Sequence, residues 1–221
     1  MSGEKIGEKK DIQQHIHDAL QWRYATQAYT PESTLTDQEL ETIITAGRYA
    51  PSSRWLDPVR YVVIRDVWLR KELLQAVNNQ EKIVTASDLV VVAVEDVTAT
   101  YVEERVAHVA NTRNILPEKL EGYQNALMSV ANMPDIERHA RAREQAHIAL
   151  GSMLLTAAQL RVDASPMWGF QPTEVDRILQ LSAKWRTSVV LMALGHRDPE
   201  DPTLQRAKVR RPAVRSVDTR R

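Results

Sequence analysis

Two short runs in this chain carry almost no polar side chains, and they limit its possible folds more than any other feature. Leu89 to Val94 is apolar at every position, and Ser188 to Leu194 reads as a second apolar strand. A strand with one face in water alternates apolar and polar residues, whereas a run without alternation needs cover on both faces. Each run is far too short to span a bilayer. Both are therefore expected at the centre of a sheet.

The cover must come from the remaining segments, most of which have helical spacing. Asp11 to Tyr24 sets Ile12, Ile16, Ala19 and Leu20 on one face. Thr36 with Glu39 three residues on forms a capping-box pattern, and Leu40, Ile43, Ile44 and Gly47 follow as an inner stripe. Pro51-Ser52-Ser53 breaks the chain, and Val59 to Arg65 reads as a strand. Val67 to Val77 predicts a short helix with Leu69, Leu73 and Val77 inward. Ile136 to Leu160 is the longest helical stretch, with Ala146, Leu150, Met153, Leu154 and Ala157 along one stripe. Pro166 to Phe170 reads as a turn and Glu174 to Leu181 as a short helix.

Tyr101 to Met133 is polar and helical in pattern, broken at Pro117, and reads as an excursion from the core. Residues 199–221 form a proline-spotted basic tail. Strands separated by a majority of helices predict one α+β domain over residues 1–221, in two or three layers.

Several chemistries are excluded at this level. The chain has no cysteine, which removes disulfides, thiol nucleophiles and cysteine-held metal clusters and fits a reducing, cytoplasmic setting. Its seven glycines form neither a G-x-G-x-x-G nor a P-loop pattern. His15 and His17 are two apart and diverge on a helix, and His139 and His147 lack an acidic partner at ligand spacing. Solvated surface histidines and no metal are the expectation, and Glu103-Glu104 reads as an exposed helix face. Formal net charge is zero, so neither nucleic acid nor an anionic membrane is an expected partner. The basic tail also lacks the interleaved aromatic residues of a nucleic-acid binder. The polar start, Met1 to Lys10, predicts no secretory leader.

Four stretches, in order along the chain, carry a resemblance. They are Trp22-Arg23-Tyr24-Ala25-Thr26-Gln27-Ala28-Tyr29; Ala50-Pro51-Ser52-Ser53 with Pro58 and a strand following; Asn79-Gln80-Glu81-Lys82-Ile83; and Pro166-Met167-Trp168-Gly169-Phe170 together with Gly195-His196-Arg197 and Lys208-Val209-Arg210. In this combination the sequence resembles the nitroreductase family, over nearly its whole length.

The resemblance implies a three-layer α-β-α fold with a central, mostly antiparallel sheet, in a homodimer that exchanges C-terminal tails. It implies FMN as cofactor, NADH or NADPH as donor, and ping-pong transfer through flavin N5 to a small acceptor such as a nitroaromatic or a quinone. No side chain is then needed as an acid or base. Arg23, Lys208 and Arg210 would hold the phosphate, with Arg206 competing if the tail register slips; a guanidinium fork suits phosphate oxygens. Tyr24, Ala25 and Gln27 would line the flavin's polar edge. Pro51, Ser52, Ser53 and Trp55 would reach the flavin of the other subunit. Asn79 would face the pyrimidine edge or ribityl chain, Lys82 the nicotinamide donor, and Met167, Trp168 and Gly169 the ring. The excursion 101–133 would shape the acceptor pocket.

Departures matter equally. Gln27 stands where the family usually has lysine or arginine near flavin N1 and O2, and Ala25 replaces a frequent serine. Trp168 stands where glutamate is common, and Trp55 where a small or polar residue is. The glutamine keeps open the alternative of a flavin-binding member with weak or no turnover.

Overall fold

The two apolar runs lie side by side. β2 (Asp88–Glu95) and β4 (Arg186–Gly195) pair antiparallel at the centre of a four-stranded sheet ordered β1-β2-β4-β3, with β1 (Val59–Ile64) and β3 (Asp163–Met167) at its edges. All three pairings are antiparallel. The computed structural model describes residues 2–184 and 186–220, and the side chains of 10–183 and 186–220. Met1 and Arg221, which end the polar start and the basic tail, lie outside the described residues, as do the side chains up to Lys9.

The period-two geometry of a strand sorts the central residues to two faces. Val90, Val92 and Val94 join a core with Leu40 and Ile43 of α2 (Asp37–Arg48) and with Ala146, Leu150, Met153 and Ala157 of α7 (Asp135–Gln159). Leu89, Val91 and Ala93 point the other way, onto Leu73, Val77, Ile83 and Val175. These come from α3 (Val67–Glu72) and its continuation, α4 (Lys82–Thr85) and α8 (Pro172–Ile178). The sheet is thus covered on both faces, the three-layer α-β-α arrangement. Between Val92 and Ala93 the pairing with β4 shifts by one residue, a bulge at Val189.

Local chemistry explains the element ends. Thr36 and Glu39 form the capping box on α2, each reaching the other's backbone N–H. Gly47 lets α2 lie against α7: an added Cβ would sit 2.8 Å from Met153 Sδ and from Tyr61 Oη. The excursion forms α5 (Ala99–Arg113) and α6 (Glu121–Ala131), with Pro117 opening a 3-10 turn between them. It carries a small core of its own from Val102, Val106, Val109, Leu127 and Val130, onto which Leu56 packs. Arg138 pins its base, donating to both oxygens of Asp96 and to the Met133 carbonyl.

Two expectations are corrected. Pro166 and Met167 lie in strand β3 and not in a turn, which starts only at Trp168. Proline is tolerated there because β3 is an edge strand, with no neighbour awaiting its missing N–H. The first helix, α1 (Ser2–Trp22), begins well before Asp11, and its stripe is not an inner one: Ile12 and Leu20 are exposed and only Ala19 is fully buried.

Candidate cofactor site

α1 ends at Trp22, so Arg23 to Tyr29 runs as an extended segment along the end of the sheet and closes with a bridge from Tyr29 to Arg197. Two buried acids hold it. Asp201 Oδ2 accepts the backbone N–H groups of Gln27, at 2.7 Å, and Ala28, at 3.0 Å, while Oδ1 accepts the Thr203 N–H and hydroxyl. Burial opposes ionisation of Asp201, but these hydrogen bonds from Thr203, Ala28 and Gln27 together outweigh it and hold the carboxyl at about 2. Asp163, on β3, accepts from Thr26 Oγ1 and from the backbone and side chain of Arg197. The Arg197 guanidinium in turn lies 4.0 Å from the centre of the Trp22 ring and 4.7 Å from that of Tyr24.

On this floor opens a groove of about 520 Å³, lined by Arg23, Tyr24, Ala25, Arg206, Lys208 and Arg210 among others. The residues expected to clamp a phosphate are therefore brought together, with Arg206 beside them. Lys208 Nζ donates to the carbonyls of Leu20 and Arg23, which fixes the tail's register against the end of α1. Burial, and then Arg210, lowers the Arg23 pKa; burial, and then Arg23 and Arg210, lowers that of Lys208. Among the described residues no carboxylate lies within ion-pair distance of any of the three. Like charges gathered without a counter-charge are the setting an anionic ligand stabilises. The buried Tyr24 hydroxyl beside them has no hydrogen-bond partner, and burial first, then Asp201, pushes it up to about 12.

From the clamp a band of contacts leads along the molecule. Gln27 Nε2 donates to the Ala25 carbonyl, and Lys82 Nζ donates to Gln27 Oε1 at 3.2 Å. Lys82 is buried, and burial lowers its pKa against the opposing pull of Asp201. Three residues before it, Asn79 is exposed in a left-handed turn (φ 54°), flanked by Asn78 and Gln80, which both donate to the Gly169 carbonyl. Gly169 has a negative φ, and an added Cβ would meet nothing closer than 3.5 Å. Neither backbone nor packing within the chain requires glycine there, which leaves that backbone open to close approach from outside. Trp168 is exposed, while the Met167 side chain is buried in the core, so only the backbone of Met167 can front a ligand.

The Pro51 loop lies apart from this band. Ser52 Oγ accepts the Asp57 N–H, and the Ser53 N–H donates to Gln145 of α7. Trp55 is half exposed against Tyr123 and Arg113 of the excursion. None of Pro51, Ser52, Ser53 and Trp55 lines the groove of Arg23 and Lys208.

Sequence reasoning missed three groups. Asp163 and Asp201 build the floor, and only Asp201-Pro-Thr203, an acid placed to cap its own turn, carried a signal. His147, expected as a solvated histidine, has a partner on each ring nitrogen: the Arg143 carbonyl at 2.7 Å from Nδ1 and Trp168 Nε1 at 3.0 Å from Nε2. Among the described residues no cluster of His, Asp and Glu could hold a metal ion.

The sequence profile of the Nitroreductase family matches residues 20–196. A Staphylococcus aureus chain named "Putative NAD(P)H nitroreductase" is 32% identical over 204 residues, covering 87% of this chain and 91% of that one. Among solved structures, ydfN of Bacillus subtilis superposes with a TM-score of 0.81 at 19% identity, covering 96% of this chain and all of that one. A chain from Exiguobacterium sibiricum, solved in complex with FMN, superposes with a TM-score of 0.78 at 16% identity, covering 93% and 97%.

Proposed function

The chain belongs to the nitroreductase family, and from that premise we propose that it is an FMN-dependent oxidoreductase carrying electrons from NADH or NADPH to small electron-poor acceptors. The observation that carries the reading is the trio Arg23, Lys208 and Arg210, gathered in one groove with no carboxylate among the described residues at ion-pair distance. The unpartnered Tyr24 hydroxyl and the open face of Gly169 fit the same ligand.

When bound, FMN would supply two-electron redox chemistry that no side chain here offers. In this reading the three cations hold its phosphate. Lys82 and Gln27 meet its polar edge, and the Lys82 charge takes the place of the cation that position 27 lacks. That contact favours turnover over the alternative of a flavin binder with weak or no turnover. Asn79 and the Gly169 backbone border the ring. Donor and acceptor then use one exposed face in turn, a ping-pong order, with nitroaromatics and quinones as the acceptor class.

The assembly in this reading is a homodimer. Ile12 and Leu20 of α1, Ile136 and Ile148 of α7, and Val209, Val214 and Val217 of the tail are all exposed apolar side chains. Obligate interfaces bury more than about 2,000 Å² of such surface. A partner would also explain why Ser52, Ser53 and Trp55 stand away from their own chain's groove, and in this reading the tail beyond Arg210 exchanges between the chains. Among the described residues no helix is long and apolar enough to cross a membrane, which fits the cytoplasm as its place.

The test is a visible spectrum of the purified protein, followed by NAD(P)H oxidation with a quinone as acceptor. About one FMN per chain and quinone-dependent turnover are expected. A colourless protein that takes up no added FMN overturns the reading. Light scattering that shows a flavin-loaded monomer overturns the dimer.

A further inference from the structure

Trp168 is a large apolar side chain left 53% exposed, on the residue before Gly169. An exposed indole ordinarily samples several rotamers; this one is tethered. Its Nε1–H points at His147 Nε2 at 3.0 Å. His147 Nδ1 lies 2.7 Å from the Arg143 carbonyl oxygen, which can only accept. The proton is thereby assigned to Nδ1, leaving Nε2 a lone pair for the indole N–H. The two rings are parallel to within 1°, with centroids 5.9 Å apart. An in-plane N–H···N bond between parallel rings sets them edge to edge, so together they form one flat shelf wider than either ring.

The shelf has a rigid support. His147 follows Ala146 on α7, and Ala146, Ala149 and Leu150 are buried in the main core, so the imidazole is carried by a helix packed into that core. On the other side, the Gly169 carbonyl is held by Asn78 and Gln80. The shelf therefore adjoins the band from Arg23 to Asn79 assigned above to the cofactor.

We propose that His147 is a positioning residue that locks Trp168 as an aromatic shelf for a flat, electron-poor ring, and so makes the site selective for planar reactants. This rests on the flavin reading for the identity of the neighbouring site, but the shelf itself does not need it. Stacking of flat rings favours offset, parallel contact over a broad face, and neither His147 nor Trp168 presents a free charge or a free donor to a compact polar molecule. Such a ring can come from the acceptor, as in a quinone, or from the donor's nicotinamide.

The experiment compares wild type with H147F, H147Q and W168A. The first readout is the indole N–H resonance of Trp168, recorded without added donor or acceptor and identified by its absence in W168A. In H147F it should shift and lose protection from solvent exchange; H147Q, whose Oε1 can accept in place of Nε2, should restore both. The second readout is equilibrium dialysis of 1,4-naphthoquinone and, separately, nicotinamide against the oxidised protein. H147F should weaken binding of at least one ring about threefold to tenfold, the factor for one lost neutral hydrogen bond, with W168A weaker still and H147Q close to wild type. Weakening for naphthoquinone alone assigns the shelf to the acceptor, for nicotinamide alone to the donor, and for both to a shared face. Unchanged binding of both rings in H147F and W168A overturns the proposal, as does a Trp168 resonance that ignores position 147. Should the wild type take up no FMN, the flavin reading fails, and the same dialysis on the flavin-free protein still decides whether the shelf exists.

Discussion

The groove of Arg23 and the loop from Ser52 to Asp57, taken with the excursion side chains that hold it, are made of similar parts, arginines, tyrosines and bent backbone, and they use them in opposite ways. In the loop the backbone carbonyls have found partners inside the chain. The carbonyls of four successive residues accept from the excursion: Arg54 from Tyr123, Trp55 from Arg105, and Leu56 and Asp57 sharing the single hydroxyl proton of Tyr101. Arg54 itself donates back to the Ala126 carbonyl. Three of these residues hold left-handed backbone, Arg54, Trp55 and Asp57 at φ of 52°, 53° and 49°. Each costs on the order of 1–3 kcal/mol, which the hydrogen bonds of the excursion offset. In the groove, by contrast, cations face cations, and the buried Tyr24 hydroxyl beside Asp201 makes no well-formed hydrogen bond. A region that satisfies itself is scaffold, and one that does not is waiting for something from outside. The strained loop alone would have drawn attention; its carbonyl bonds to the excursion are what hold it in shape, and they leave the Trp55 side chain half exposed.

The contrast breaks most sharply at Arg23. Arg23→Ala should weaken FMN retention by about 1.5–3 kcal/mol, the range for a hydrogen bond to a charged group. Flavin-free stability should change by less than about 1 kcal/mol, because the change also relieves repulsion from Arg210 and Lys208. Titration with FMN and denaturant unfolding of the flavin-free protein measure the two numbers. A variant that unfolds easily but keeps its FMN affinity would reverse the assignment.

Asp201 tests the floor beneath the same groove. Its folded pKa of about 2 lies below the ordinary 3.8, so its contribution is complete above about pH 4 and is lost as pH falls towards 2. A depression of nearly two units corresponds to about 2 kcal/mol. Asp201→Asn should remove this acid-sensitive part of the stability profile and lower stability near neutrality by a similar amount. Unfolding curves collected between pH 2 and 7 decide it, and an unchanged acid limb in the variant would mean that the hydrogen bonds to Gln27 and Ala28 do not depend on the charge.

On the other side of the comparison, Tyr101→Phe frees the Leu56 and Asp57 carbonyls and leaves the strain in place. A loss of about 1 kcal/mol in stability is expected, with FMN affinity unchanged, the mirror image of Arg23→Ala. Equal loss of both properties would show that loop and groove are one unit.

The same contrast explains what the sequence disclosed. Hydrophobic periodicity reports burial, so β2, β4, α2, α7 and the separate excursion were legible, down to the Thr36 capping box. β3 was not, because Asp163, Ser165 and Pro166 look like turn chemistry; their strand geometry is imposed by pairing with β4. The α1 stripe was legible as a pattern, but not what covers it, since a single chain leaves Ile12 and Leu20 in solvent. At the groove, Arg23, Lys208 and Arg210 could be named from short motifs some 185 residues apart in the chain. Asp163, Asp201 and His147 could not. Apart from the turn of Asp201 to Thr203, the partners that matter are backbone N–H groups, a largely buried guanidinium and an indole brought close only by folding, and no local spacing encodes those contacts.

Gln27 offers the smallest expected effect and the finest test. An isolated new cation near the flavin's polar edge would contribute about 4 kcal/mol at 4 Å and an effective dielectric of 20, reduced to about 1–2 kcal/mol by screening and burial. That corresponds to a rise of roughly 20–40 mV in the two-electron midpoint potential. Gln27 is not isolated, however: its Oε1 already accepts from the buried ammonium of Lys82. A lysine at 27 would set two ammoniums within a few ångströms, and burial has already lowered the Lys82 pKa. The cheaper response is for one of the pair to give up its proton, leaving the charge at that edge nearly as before. Gln27→Lys should therefore raise the potential by only about 10 mV, well short of the isolated-charge value. In a Lys82→Met background the same substitution should recover the full 20–40 mV or so, because the competing cation is gone. Spectroelectrochemical titration of the four proteins measures the coupling directly. A full rise in the Lys82-containing protein would show that Lys82 does not share the flavin edge with residue 27, and the groove would then be one cation poorer than its geometry implies.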